Sequence, residues 1–242
     1  MSDPLPPGTP PEGVRQPGRH TTLRLAAVPA AEAPPLDRGT RIIALVAVLA
    51  LVAVLVWVVT RPEVPQYEPL TWAAIAPPQT TAIHPWRYLV LHHSASRGGS
   101  AQVIDRDHVA QNGWDGIGYH FVIGNGVDMP LGRIEATFRW RQQSHGAHAG
   151  AMPQQTPFNT DGVGICLIGN YEQQALDPFV ERRLVELCAQ LIDRIPTLSV
   201  GRIIGHRDVP GKSTVCPGRG IDLERVRYLV RQEMTAHGMT VR

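Results

Sequence analysis

The sequence predicts an α/β domain, built as a single central mixed sheet flanked by helices and preceded by one N-terminal transmembrane helix. Three observations support this prediction. Apolar runs of strand length alternate with helix-patterned segments between residues 85 and 235. An uncharged apolar run fills residues 42–60. The other residues before position 85 are rich in proline and lack apolar periodicity, so the folded domain is expected to begin near residue 85.

Short, largely apolar runs predict the strands. RYLVLH at 87–92 and VGICLI at 163–168 are typical of strands buried within a sheet. The Asn-Gly pair at 125–126 favours a hairpin in which residues 127–133 return beside the preceding strand. The strands are expected at 87–92, 119–123, 163–168 and 202–204.

Helices are predicted where apolar residues recur at helical spacing. Asp177 followed by Pro178 is typical of a helix start, and the apolar positions after it recur every three or four residues. Gly113 is expected to end an earlier helix, at 101–112. Residues 141–161 resemble a loop, and 236–242 a C-terminal tail. The helices are expected at 101–112, 177–194 and 222–235.

The apolar run at 42–60 is predicted to cross a membrane. It contains no charged residue, glycine or proline, and as a helix it would be about 28 Å long, close to the thickness of a bilayer core. Trp57 lies near one end, where interfacial aromatic residues are common. A buried core helix is disfavoured because such helices are rarely apolar on every face.

The charges on either side of this run predict its orientation. Arg61 is the only lysine or arginine between the run and Arg87, whereas five precede it: Arg15, Arg19, Arg24, Arg38 and Arg41. The N-terminus is therefore expected in the cytoplasm, and the domain outside a single-pass inner membrane anchor. A cleaved signal peptide is disfavoured by the long charged region before the run and by the lack of an A-x-A-like site after it.

The segments that flank the run are expected to lack a packed fold. Residues 1–41 are rich in proline, alanine and glycine and are predicted to be a disordered cytoplasmic tail. Residues 61–84 contain several prolines and are predicted to form an extended, semi-rigid linker.

Composition excludes some functions. The formal net charge of +2 is too small to indicate a nucleic-acid partner. Three cysteines without a close pair argue against a disulfide framework. Cys166 and Cys188 lie in apolar patterns and are expected to be buried, whereas Cys216 lies in a polar loop rich in glycine and proline, where a ligand or reactive role is plausible.

Two histidine-bearing segments follow predicted strands. LHHSAS contains His92 and His93, and GHRDVPGKSTVCPG contains His206 and Cys216. Strand ends hold side chains rigidly at the rim of a sheet, so these groups could converge on one ion. Two imidazoles and a thiolate suit a zinc ion with an open fourth position, whereas a structural zinc site is normally closed by four protein ligands.

Five motifs in order give a specific resemblance: YLVLHHSAS, WDGIGYHFVIGNG, GAHAG, VGICLIGNYE, and GHRDV followed by TVCPG. Residues 85–235 resemble the type-2 N-acetylmuramoyl-L-alanine amidase family, which includes phage zinc amidases and peptidoglycan recognition proteins. The resemblance implies a zinc-dependent hydrolase of the lactyl–L-alanine amide in peptidoglycan or muropeptides, which the apolar run at 42–60 would anchor to a membrane. It also leaves open a recognition module that binds these molecules without cutting them.

The resemblance also assigns roles to individual residues. It implies His92, His206 and Cys216 as zinc ligands and Tyr119 as a catalytic residue. A lysine or threonine two residues before the cysteine assists catalysis in the family, which here corresponds to Thr214. Because the loop is longer than in some relatives, Lys212 is the alternative, and Thr214 is favoured. His148 in GAHAG is implied as a substrate contact, and Asn159, in the loop before VGICLI, is a further candidate contact.

Two further functions are weighed and disfavoured. GKST at 211–214 resembles part of a phosphate-binding loop, but the first glycine of that motif would fall on His206. A cysteine hydrolase would use Cys216, which precedes Pro217 rather than opening a helix that could activate its thiolate.

Overall fold

The computed structural model describes residues 37–60 and 67–242 and divides the chain into two compact units, Met1–Pro65 and Gln66–Arg242. The expectations for residues 1–36 and 61–66 lie outside the described residues. The described part of the first unit is helix α1 (Arg38–Thr60), which begins four residues before the predicted position 42. By length and composition, Arg38–Val59 is the one described segment that could cross a membrane, with a mean hydropathy of 3.3 and no buried residue in its most apolar window.

The second unit is built on one sheet of five strands. The strands are β1 (Tyr88–His93), β2 (Phe121–Ile123), β3 (Ile134–Ala136), β4 (Gly162–Leu167) and β5 (Ile203–Gly205). Their order across the sheet is β3-β2-β4-β1-β5. Strands β2 and β3 are antiparallel and the other neighbours are parallel, so the predicted mixed sheet is confirmed.

Helices flank this sheet, as the sequence predicts. Residues of α6 and α7 contribute to the main hydrophobic core together with Leu89 and Leu91 of β1. Val90 instead belongs to a separate cluster with Ala149 and Val209. The helices of this unit are α2 (Trp72–Ile75), α3 (Ala101–Asn112), α4 (Phe138–Gln142), α5 (Thr156–Thr160), α6 (Pro178–Arg194) and α7 (Leu223–Ala236).

The long helices begin and end where the sequence indicates. The side chain of Asp177 accepts hydrogen bonds from two backbone N–H groups in the first turn of α6. Asp222 caps α7 in the same way. Gly113 ends α3 in the left-handed conformation that glycine adopts without steric cost, with φ 65°.

The hairpin differs from the prediction. Strand β3 lies beyond residues 127–133, which instead form a turn closed by hydrogen bonds from Gly126 N to Met129 O and from Gly124 N to Arg133 O. Pro130 has no N–H to donate to a ladder, and Gly132 has φ 68°, so this stretch cannot continue as a strand.

Two short helices were also missed. The segment 141–161, expected to be a loop, contains the end of α4 and all of α5, which has Pro157 in its first turn.

Part of the expected linker packs on the domain. Leu70 and Ile75 are buried in the main core. The backbone of Leu70 donates to the Glu186 carboxylate and accepts from Gln190. Apolar side chains at 70–75 interrupt the prolines and provide the contacts that a solvated linker lacks. Within the described residues, the second unit therefore begins well before residue 85.

Candidate metal centre and cleft

His92 lies near the end of β1, where strand periodicity decides the direction of its side chain. Successive side chains of a strand point to opposite faces, so His92 shares the face of Val90, away from Leu91 and the main core. It is 1% exposed. The neighbouring His93 accepts a hydrogen bond from the backbone N–H of Tyr171 at 3.2 Å and is not part of the cluster described below.

His206 reaches the same point from the adjacent strand. Leu91 of β1 pairs with Gly205, the last residue of the parallel strand β5, and His92 and His206 come directly after these paired residues, His206 as the first residue of a short 3-10 helix. Their ring centroids are 4.6 Å apart. Cys216 comes from the loop after β5, and its Sγ is 3.8 Å from His92 Nδ1. The ligand atoms of the three residues all lie within 4.8 Å of one another.

The three side chains suit a zinc ion. His206 Nε2 is buried and has no hydrogen-bond partner among the residues that the structure describes, so no protein group there competes with a metal ion for this atom. Burial lowers the pKa of His206 to about 4 and holds the pKa of His92 well below its usual range. Both rings are therefore neutral near pH 7, as metal ligation requires. Burial raises the pKa of the Cys216 thiol to about 11, so zinc binding at neutral pH would displace a proton from it.

A cleft of about 450 Å³ opens beside this cluster, and His206, Tyr119 and Lys212 all line it. The Tyr119 ring centroid lies 5.0 Å from that of His92. Burial, reinforced by the interaction with the Cys166 thiol, holds the pKa of the Tyr119 hydroxyl well above its usual range, so this group stays protonated near pH 7.

Lys212 and Thr214 differ in where they lie. Lys212 lines the cleft, and its Nζ lies close to Gly150, since a Cβ added to that glycine would fall 2.8 Å from Nζ. The hydroxyl of Thr214 accepts a hydrogen bond from Cys216 N at 3.2 Å, and Thr214 lines a different cavity, together with Arg207 and Glu172. The sequence favours Thr214, but the position of Lys212 beside the cluster makes the lysine the stronger candidate.

His148 and Asn159 are joined in one loop arrangement. Asn159 Oδ1 accepts from the backbone N–H groups of His148 and Ala149, both at 2.8 Å, and its Nδ2 donates to Gly150 O at 2.7 Å. Its amide is therefore engaged in shaping the cleft wall. His148 is 6% exposed, and its Nδ1 lies 3.1 Å from His92 Nε2. Both residues line the cleft, as a substrate contact would require.

Comparison with known proteins identifies the family. The family model described as N-acetylmuramoyl-L-alanine amidase matches residues 82–219. The chain belongs to this family. The resemblance inferred from the five motifs is thereby confirmed, and the matched range includes the three clustered side chains and the cleft.

The similar proteins include peptidoglycan recognition proteins and a solved amidase structure. Peptidoglycan-recognition protein SC1a of Drosophila melanogaster is 31% identical over 143 residues, covering 55% of this chain and 69% of the relative. Peptidoglycan recognition protein 1 of Bos indicus is 30% identical over 156 residues, covering 61% and 75%. The solved structure of N-acetylmuramoyl-L-alanine amidase LysC from Clostridium intestinale is 26% identical with a TM-score of 0.50, covering 61% and 86%.

Two ring-bearing side chains of the cleft were not predicted from the sequence. His108 and Trp114 line it, with ring centroids 4.8 Å apart, and the His108 ring is 5.6 Å from that of Tyr119. His108 Nδ1 accepts from Gly118 N at 3.0 Å, which leaves its Nε2–H free to donate in the neutral ring. One sequence feature could have indicated His108, since it follows the buried Ile104 by four residues on α3 and so shares its face.

Proposed function

We propose that this protein is a zinc-dependent N-acetylmuramoyl-L-alanine amidase. It would hydrolyse the amide between the lactyl carbonyl of N-acetylmuramic acid and the amine of L-alanine, in peptidoglycan or in soluble muropeptides. The observation that carries the proposal is the convergence of His92, His206 and Cys216 within 4.8 Å of one another beside a cleft. Membership of the amidase family supports the same reaction.

Each cleft residue has a chemical role in this proposal. His92, His206 and Cys216 would hold zinc, which supplies Lewis acidity to polarise the amide carbonyl and lowers the pKa of water. The protonated Tyr119 hydroxyl would donate to the oxygen that gains negative charge in the transition state. The Lys212 ammonium, which also lines the cleft, would stabilise the same charge. His148 and Asn159 shape the wall against which the substrate would lie.

The second candidate is a recognition module that binds muropeptides without cutting them. It is favoured by relatives named peptidoglycan recognition proteins. A binding module has no need for two imidazoles and a thiolate whose ligand atoms lie within 4.8 Å of one another, as those of His92, His206 and Cys216 do. This observation favours the catalytic function.

The membrane part of the proposal rests on α1. This helix would anchor the chain by a single pass through the inner membrane. The arginines that precede the apolar run would keep the N-terminus in the cytoplasm, so that the amidase domain faces the cell wall.

Hydrolysis of purified peptidoglycan by the detergent-solubilised full chain tests this function. Zinc content is measured in parallel, and the products are identified by mass spectrometry with and without a zinc chelator. We expect chelator-sensitive release of stem peptides that carry a free L-alanine amine, and loss of both zinc and release in Cys216→Ala. Muropeptide binding without release, by a protein that retains zinc, would refute the amidase function in favour of the recognition module.

A further inference from the structure

The two ring nitrogens of His92 face different partners. Nδ1 lies 3.8 Å from Cys216 Sγ and so faces the cluster of candidate zinc ligands. Nε2 points away from that cluster and lies 3.1 Å from Nδ1 of His148. The two rings are roughly perpendicular, at 77°, with centroids 5.0 Å apart. A neutral ring that ligates through Nδ1 must carry its proton on Nε2, so an acceptor next to Nε2 favours the tautomer that zinc binding requires.

His148 is itself held by a group that only accepts hydrogen bonds. Its Nε2 lies 3.2 Å from the backbone carbonyl oxygen of Gly162 in β4. Because a carbonyl oxygen has no proton to donate, Nε2 of His148 carries the proton. In the neutral ring, Nδ1 of His148 is then an acceptor, and the proton between the two rings belongs to Nε2 of His92. The lone pair of His92 is thus left on Nδ1.

We propose that His148 is a positioning residue that fixes the tautomer and orientation of His92, so that the Nδ1 lone pair faces the zinc site. The hydrogen-bond chain runs from His92 Nε2–H to His148 Nδ1 and from His148 Nε2–H to Gly162 O. It gives His148 a role separate from substrate contact. Outer partners of this kind orient metal-ligating imidazoles in many proteins.

The surroundings of His148 permit little motion of its ring. A Cβ added to Gly146 or to Gly164 would fall 2.4 Å from Cδ2 of His148, so two glycines make room for the ring. Asn159 Oδ1 accepts from the His148 backbone N–H at 2.8 Å and fixes the main chain. With both ring nitrogens engaged by protein atoms, the ring has no free polar atom to offer a substrate.

The inference rests on the proposed zinc function, but its first test does not need zinc. The full chain, labelled with ¹⁵N-histidine and solubilised in detergent, is stripped of metal, and the tautomer of His92 is read from its ring ¹⁵N shifts. We expect the Nε2–H form in the wild type and a mixture of tautomers in His148→Leu. His148→Asn places an amide oxygen near the former Nδ1 and is expected to restore the Nε2–H form. A His92 that keeps the Nε2–H form in His148→Leu would overturn the proposal.

Zinc affinity gives the second readout, measured on the same full-length proteins by competition with a chromophoric chelator. We expect His148→Leu to bind zinc about 10- to 100-fold more weakly than the wild type and His148→Asn to recover most of the loss. His108→Leu is the matched control, because it removes another cleft histidine that does not contact His92. Circular dichroism checks that each variant is folded.

The outcomes separate the two proposals. Equal zinc affinities for wild type and His148→Leu, or equally weak binding by the leucine and asparagine variants, would overturn the role of His148 and leave the amidase function intact. A wild-type protein that binds no zinc would refute the zinc amidase, while the ¹⁵N shifts would still decide whether His148 fixes the tautomer of His92.

Discussion

Replacement of Lys212 by methionine tests which residue of the 212–214 loop assists the reaction. Methionine keeps the length of the side chain and removes its charge. An ammonium about 4 Å from a developing oxyanion contributes roughly 1 kcal/mol in bulk water and roughly 4 kcal/mol at the effective dielectric constant of a protein surface. Lys212 is half-buried in the cleft wall, so a value of about 2–3 kcal/mol is expected. Lys212→Met should therefore lower kcat/KM about 30- to 150-fold.

Thr214→Val is the matched comparison. It removes a hydroxyl that accepts from Cys216 N, a neutral hydrogen bond that contributes about 0.5–1.5 kcal/mol to stability. Because Thr214 lies on a different cavity, kcat/KM should fall by no more than about 3-fold, about 0.6 kcal/mol. Lys212→Arg, which keeps the charge, should retain more activity than Lys212→Met.

The assay follows release of a free L-alanine amine from a purified muropeptide over a range of substrate concentrations, with zinc content measured for every variant. Full zinc occupancy is required for comparison, since both residues lie close to Cys216 in the chain. The reasoning is refuted if Lys212→Met retains wild-type kcat/KM with zinc bound. A loss of about 100-fold in zinc-loaded Thr214→Val would instead return the catalytic role to the threonine, as the sequence favoured.

The remaining predictions concern the ligands, a helix cap and the segment before the sheet. Cys216→Ala should lose zinc and activity together, whereas Tyr119→Phe should keep zinc and lose most turnover. Metal analysis beside the hydrolysis assay checks both variants. A fully active Tyr119→Phe would contradict the catalytic role of the tyrosine hydroxyl. Asp177→Ala removes the cap of α6 and should cost about 1 kcal/mol, which lowers Tm by about 2–4 °C in a thermal unfolding scan. Tyr67→Phe removes a hydroxyl that donates to the buried Glu186 carboxylate and should cost about 1–2 kcal/mol in urea unfolding at pH 8. Burial, reinforced by the bond to Glu186, raises the pKa of Tyr67 in the folded protein. The hydroxyl therefore stabilises the fold fully below its ordinary pKa of about 10, and this contribution is lost as the pH rises through the pKa of the folded protein. Equal stability of Tyr67→Phe and wild type at pH 8 would contradict this.

Strong local patterns made the larger elements predictable. Helix α6 combines an Asp-Pro start with apolar residues at helical spacing, and its cap lies at Asp177 as expected. Strands β1 and β4 are central in the sheet and buried along nearly their whole length, which explains their continuous apolar runs. For these elements, local preference and tertiary burial favour the same conformation.

Elements whose conformation depends on distant contacts were not predictable. The segment at 70–76 lies between prolines at 69, 77 and 78, and its helix α2 has only four residues, too few to show a helical repeat; packing against the main core holds it in place. Strand β3 is short and half-buried, so it has no apolar run, and its place is set by pairing with β2. In both cases, the residues that decide the structure lie far away in the sequence.

The candidate ligands illustrate how far the sequence alone can lead. The resemblance assigns His92 rather than His93, and the structure gives the physical reason for the difference. His93 shares the face of Leu91 and accepts from Tyr171 N, whereas His92 faces His206 and Cys216. Strand periodicity separates the two histidines but does not say which face carries the site.

The ambiguity between Lys212 and Thr214 has a different origin. Spacing to Cys216 favours the threonine, but spacing along an irregular loop does not determine the direction of a side chain. The Thr214 hydroxyl is engaged by the backbone of Cys216, the residue that the loop must hold in place. In the proposed function, Thr214 would hold the loop that carries Cys216, and Lys212, which lines the cleft, would supply the positive charge. If Lys212→Met lowers kcat/KM far more than Thr214→Val does, the residue that assists the reaction is the one that lines the cleft, and its spacing to the cysteine does not identify it.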